Sequence, residues 1–155
     1  MLKQVFLGLG SNMGPKRQLL EAAVQEIQKI PTVFELRVSN YYRTKPVSDL
    51  PQDDFLNAVC VLKTKLKSKD FFEILEGIER SLGKVPKAKD EPRPIDIDLL
   101  LFGDEFSNDP DLTLPHPRML ERYFVLKPLS DLVDFLQVPD GKGSVYPFYP
   151  SKHLS

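Results

Sequence analysis

The segment Arg93-Pro94-Ile95-Asp96-Ile97-Asp98-Leu99-Leu100-Leu101-Phe102-Gly103 holds the clearest chemistry in the chain. Side chains alternate across a strand, so Asp96 and Asp98 share one face while Ile95 and Ile97 enter the core on the other. Two hard oxygen ligands at fixed spacing suit Mg²⁺, which takes one or two carboxylates and fills its remaining positions with water and phosphate oxygens. A solvated strand end accounts for a lone Asp-x-Asp as well. The apolar run that follows marks a fully buried strand, where an unpartnered carboxylate is costly. Ahead of the pair lies a basic loop with Lys84, Lys87, Lys89 and Arg93. Cations beside such a pair are what a polyphosphate requires, Arg forking onto its oxygens and Lys supplying a point charge. A merely solvated loop has the same composition.

Three further groups could serve a ligand. Phe55 and Asn57 share a strand face, a ring to stack on a flat heterocycle and an amide to match its donor–acceptor edge; a core Phe and a turn-bonded Asn are the plainer alternative. In Leu114-Pro115-His116-Pro117-Arg118 the prolines stiffen the backbone and aim His116, and a short helix sets Arg118 and Arg122 one turn apart on a shared face for an anion. Glu79 stands near a helix C-terminus, where the dipole does not favour an acid, so it has either another partner or only solvent.

The elements that must position these groups follow from periodicity. A strand at Gln4–Leu9 leads into Gly10-Ser11-Asn12-Met13-Gly14, which lacks the third glycine of a dinucleotide motif and the Gly-Lys-Ser/Thr of a P-loop, and so reads as a tight strand-to-helix turn whose backbone can lie against a ligand. A helix from Lys16 to Ile30 follows, with Leu19, Leu20, Ala23, Val24, Ile27 and Ile30 as its stripe. Next come a strand over Val33–Tyr42, alternating Phe34, Leu36 and Val38 against Glu35, Arg37 and Ser39, a long loop over Thr44–Asp53, and a strand over Phe55–Thr64. A helix capped by Ser68 runs to Leu82, with Phe71, Leu75, Ile78 and Leu82 as its stripe, and stops at Gly83. After the Asp96 strand the tail at Tyr146-Pro147-Phe148-Tyr149-Pro150 reads as surface packing, with His153 silent. The order βαββαβ argues for an α+β ferredoxin-like sandwich, helices on one face of an antiparallel sheet, with a C-terminal helical extension.

Composition bounds the rest. At 155 residues the chain is expected to form one domain, 1–155. With 21 basic and 22 acidic residues its net charge is -1, which argues against nucleic acid or an anionic membrane as partner. Cys60 is the only cysteine, so no internal disulfide forms. The apolar run Val5 to Leu9 is too short for a signal peptide, and a cytoplasmic monomer is expected.

Taken together, Gly10-Ser11-Asn12, Tyr42-Arg43-Thr44, Phe55-Leu56-Asn57, Pro92-Arg93, Ile95-Asp96-Ile97-Asp98-Leu99-Leu100-Leu101-Phe102-Gly103 and Pro115-His116-Pro117-Arg118 with Arg122 and Phe124 resemble the 6-hydroxymethyl-7,8-dihydropterin pyrophosphokinases. The resemblance covers about 1–129 and leaves 130–155 as a C-terminal extension. It implies transfer of diphosphate from ATP to the hydroxymethyl group of the dihydropterin in folate biosynthesis, giving AMP. It implies that Asp96 and Asp98 bind two Mg²⁺ ions, that Phe55 and Phe124 sandwich the pterin, and that Asn57 reads its edge with Thr44 and Gly10. Lys84, Arg93, His116, Arg118 and Arg122 would meet ATP, Arg93 with the two Asp forming the catalytic set, and Glu79 matches an acidic position near that site. No general base is evident.

Two other readings use part of this set. A metal-dependent phosphohydrolase needs the Asp pair and the cations but not the Phe55/Asn57/Phe124 slot. An RNA-binding module of the same architecture needs aromatic, basic central strands, which are missing here. The chain departs from the family in the 84–94 loop, where Lys84, Pro86, Glu91-Pro92-Arg93 and Pro94 stand in place of arginines after the glycine and a Gly-Pro-Arg-Thr entry, and Asp90-Glu91 is acidic. An acidic pair there repels a triphosphate, so the expected enzyme is slower or more Mg²⁺-dependent. Steady-state rates are expected to rise in Glu91→Gly; unchanged rates would remove the idea.

Overall fold

The computed structural model describes residues 1–45, 52–85 and 92–154. Strand β1 (Lys3–Ser11) is central, pairing antiparallel with both β4 (Phe55–Thr64) and β5 (Asp96–Phe102). Strands β2 (Val33–Val38) and β3 (Tyr42–Thr44) pair successive stretches of β4, giving the order β2-β4-β1-β5. Helices α1 (Lys16–Gln28) and α2 (Ser68–Ser81) cover one face. There Val5, Leu7 and Leu9 meet Leu20, Ala23, Ile27, Phe71 and Leu75, all buried. The helix stripes expected from spacing therefore form the first core.

The other face is covered too. Phe6, Val59, Val61, Leu100 and Leu101 lie under helix α3 (Tyr123–Leu132) and the β8 (Leu136–Pro139) and β9 (Val145–Phe148) hairpin. The expected helical extension is thus one helix followed by a hairpin and a 3₁₀ turn at Pro150–His153. In the tail Tyr146 and Tyr149 are exposed, as expected of surface packing, but Phe148 packs against this second core and Pro150 is buried. A small hairpin, β6 (Ser107–Asp109) with β7 (Leu112–Leu114), sits off the sheet.

Four local expectations are corrected. The strand expected over Val33–Tyr42 is two strands, and a bulge with Glu35 at φ 54° breaks its alternation, leaving Phe34 exposed and Ser39 buried. Gly10 belongs to β1, which continues through Ser11, so the turn starts later. Lys67, not Ser68, takes the N-cap position of α2, and the Ser68 hydroxyl donates to Glu105 Oε2 at 2.7 Å. The short helix expected to align Arg118 with Arg122 is a 3₁₀ turn, Met119–Glu121, with one arginine at each end.

Candidate functional site

The face of the sheet under α3 is bare at one end, and β1 is the reason. Phe6 points into the second core, so Gly8 and Gly10 point to the same side with no side chain. Register then fixes what flanks them. Gly10 stands between Asn57 on β4 and Asp96 on β5, and Gly8 between Val59 and Asp98. Two interstrand spacings separate Asn57 from Asp96, about 10 Å. A Cβ on Gly10 would lie 3.1 Å from Asn57 Oδ1 and 3.6 Å from the Phe55 ring, so glycine keeps the floor open. From sequence Gly8 is weighed with Gly10 only as the start of a dinucleotide motif that fails on spacing, although glycines two apart in a strand are a legible sign of an empty face.

One wall carries the ring and the amide. Thr44 faces Phe55 and Tyr42 faces Asn57 across β3 and β4. Asn57, 5% exposed, donates through Nδ2 to Thr44 Oγ1. Phe124 enters from the start of α3, with the Arg122 guanidinium 5.3 Å from its ring centre. Phe55 and Phe124 are not stacked on each other.

The opposite wall carries the charge. Ile95 and Ile97 are buried in the first core while Asp96 and Asp98 face the cleft, as alternation predicts. The Lys84 ammonium donates to Asp96 Oδ1 at 2.7 Å and to Glu79 Oε2 at 2.9 Å. Glu79 Oε2 also accepts the Ile97 backbone N–H at 2.7 Å, which explains an acid at that helix end. Burial pushes Glu79 above the usual carboxylate range despite these two donors. Burial opposes the charge on Lys84, but Asp96 and Glu79 more than offset it and raise its pKa. Arg93 Nη1 lies 3.5 Å from Asp96 Oδ2. Asp98 takes no hydrogen bond or ion pair among the described residues. Burial, then the neighbouring Asp96 charge, pushes it up to about 7, with Arg122 pulling the other way.

A bulge in β5 sets the third side. Phe6 pairs with Leu101 and Leu7 with Leu99, so Leu100 is the extra residue, and its carbonyl accepts the His116 N–H at 2.8 Å. That bond docks the Pro115-His116-Pro117 segment beside the Asp pair. Burial, and then the Arg122 charge, lowers the His116 pKa and keeps the ring neutral at pH 7. His116 Nδ1 accepts the Arg118 N–H at 3.4 Å, which leaves the proton on Nε2 as a donor. The Arg118 guanidinium lies at the surface, 3.8 Å from Glu121, and is not drawn into the cluster.

Asn12, given no role by sequence reasoning, proves central. Only 1% exposed, it accepts the Arg93 N–H through Oδ1 at 2.8 Å, donates its own N–H to the Arg93 carbonyl at 3.1 Å, and donates through Nδ2 to Gln52 Oε1. It thereby ties the approach to β5 to the far end of the loop after β3. The expectations resting on Pro86, Lys87, Lys89, Asp90 and Glu91, and those on residues 46–51 of the loop expected over Thr44–Asp53, lie outside the described residues.

Among the described residues no three His, Cys, Asp or Glu side chains are grouped to hold a metal ion. Two carboxylates on one face, one of them unpartnered, fit Mg²⁺, which usually completes its shell with water and phosphate.

The family model for 7,8-dihydro-6-hydroxymethylpterin-pyrophosphokinase (HPPK) matches residues 6–134. The chain is similar to the 2-amino-4-hydroxy-6-hydroxymethyldihydropteridine pyrophosphokinase of Pseudomonas aeruginosa, 37% identical over 92% of this chain and 88% of that one. It is also similar to the enzyme of the same name from Porphyromonas gingivalis, 41% identical over 85% and 92%. A solved structure of HPPK-DHPS in complex with substrates shares the fold at TM-score 0.63 and 14% identity; the match covers 86% of this chain and 40% of that chain.

Raising a carboxylate above its unfolded value near 3.9 means that the folded state holds the proton more tightly, so stability falls as pH rises from about 4 to about 7. Asp98→Asn is therefore expected to stabilise the metal-free protein at pH 8 by roughly 1–2 kcal/mol and to flatten that slope. Urea unfolding at pH 5 and pH 8 checks this; equal stabilities for the two proteins at pH 8 would refute it.

Proposed function

The chain belongs to the 7,8-dihydro-6-hydroxymethylpterin-pyrophosphokinase (HPPK) family, and from that premise we infer that it transfers diphosphate from ATP to the hydroxymethyl group of 6-hydroxymethyl-7,8-dihydropterin, releasing AMP, in folate biosynthesis. The observation that carries the reading is the bare strip of β1 between two unlike walls, a ring and an amide on one side and carboxylates with cations on the other. A flat bicycle laid against Phe55 and edge-bonded by Asn57 sends its one-carbon arm toward the Asp pair. That span suits a reaction joining a heterocycle to a phosphate chain.

Diphosphate transfer demands alignment and charge neutralisation more than covalent help from the protein. Phe55 and Phe124 close on the two faces of the pterin, and Asn57, Thr44 and the Gly10 backbone take its edge. Arg93 and Arg122 fork onto phosphate oxygens, Arg118 turns from its surface position to meet the nucleotide, Lys84 adds a point charge, and neutral His116 donates from Nε2. Asp96 and Asp98 would hold two Mg²⁺ ions, which when bound neutralise the triphosphate and favour in-line displacement. The strand order and the helices α1 and α2 support a ferredoxin-like sandwich, and the shared sheet between the two cores supports one domain over 1–155. No helix of the described residues is long and apolar enough to cross a membrane. The near-balanced charge supports small-molecule substrates rather than nucleic acid as partners, and a cytoplasmic monomer completes the reading.

With ATP and Mg²⁺, AMP is expected only when the dihydropterin is present. Asp96→Ala and Asp98→Ala are each expected to lower that rate at least ~100-fold. ADP and phosphate formed without the pterin would favour a hydrolase instead.

A further inference from the structure

Lys84 is held in an unusual way for a loop lysine. Gly83, at φ +103°, ends α2, donating its N–H to the Arg80 carbonyl at 3.1 Å, and the Lys84 N–H then donates to the Glu79 carbonyl at 3.0 Å. This six-to-one and five-to-two pair closes the helix and fixes the Lys84 backbone. From that base the side chain reaches Glu79 and Asp96 together, at 2.9 and 2.7 Å. Glu79 is itself anchored to β5 by the Ile97 N–H, between the two Asp residues. Arg93, at 3.5 Å, is the looser neighbour of Asp96. Asp98 has no cation at such a distance among the described residues.

We propose that Lys84 is a built-in counter-ion for Asp96 that competes with the divalent cation for Oδ1. This rests on reading the Asp pair as metal ligands. An ammonium at hydrogen-bond distance occupies the donor oxygen and repels an incoming ion of the same sign. Metal binding therefore requires the ammonium to leave Asp96, and Glu79 Oε2 is a second partner that it already contacts. In the metal-free protein the same contact holds the Asp96 carboxylate in place. Lys84 is thus a positioning residue before the metal arrives and a competitor as it does.

The test is Mn²⁺ binding without nucleotide, followed by electron paramagnetic resonance, in the wild type, Lys84→Met, Lys84→Gln and Asp96→Ala, each checked for folding by circular dichroism. The two Lys84 variants are expected to bind Mn²⁺ roughly threefold to tenfold more tightly than the wild type. Equal or weaker binding would overturn the proposal, since loss of a purely structural contact would not tighten metal binding. Asp96→Ala is expected to weaken it, and unchanged affinity there would remove the metal reading itself. A second measurement needs no variant for the signal: the Lys84 Cε and Nζ resonances are expected to shift as Mg²⁺ is added to the wild type, and a static signal at saturation contradicts displacement.

Discussion

The site depends on the absence of two side chains. Side chains at Gly8 and Gly10 would stand on the side that Phe6 fills further along β1, a Cβ at Gly8 meeting Leu100 and Asp98 and one at Gly10 meeting Asn57 and Phe55. Without them, the second core stops short and leaves a trough. The antiparallel register then does the placing, setting Asn57 and Asp96 opposite the same glycine on different neighbours. Rigid strands, not loops, hold the two chemistries apart at a fixed span, which is how a site keeps its geometry when the connecting segments move.

Charge around that trough is deliberately incomplete. Glu79 and Asp96 share one ammonium and Asp96 has a guanidinium nearby, whereas Asp98, among the described residues, has only the more distant fields of Arg122 and Lys84. A buried carboxylate left this way costs stability, and the cost is recovered when a cation and its anionic ligand arrive together. Preorganisation at one Asp and deficit at the other suit the metal-bound polyphosphate of the proposed function. The bulge at Leu100 belongs to the same arrangement, since the carbonyl of the extra residue seats His116 beside the pair.

Much of this was legible in the chain. The parity of Ile95, Asp96, Ile97 and Asp98, the stripes of α1 and α2, and the extent of β4 all follow from periods of 2 and 3.6 and match the structure. What failed did so where geometry departs from those periods. Nothing local in Phe34-Glu35-Leu36 announces a positive φ at a non-glycine residue, so the alternation there misled. Leu100 hides inside an apolar run, where a one-residue bulge leaves no mark on the pattern. The hairpin over residues 136–148 was missed because its prolines and aromatics resemble a loop until α3 gives them a surface to pack on. Asn12 and Glu79 were named without partners, because those partners stand 81 and 18 residues away and only the fold brings them together.

The most direct test of the account is the affinity of the folded protein for 6-hydroxymethyl-7,8-dihydropterin, measured by intrinsic pterin fluorescence in the wild type and Gly10→Ala. The added methyl would press on Asn57 Oδ1 at 3.1 Å and on the Phe55 ring, while leaving the carboxylate wall untouched. The account predicts affinity weakened at least roughly tenfold, about 1.4 kcal/mol, with Mn²⁺ binding retained. Wild-type pterin affinity in the folded variant would contradict it, because the bare floor of β1 would then not be where the ligand lies.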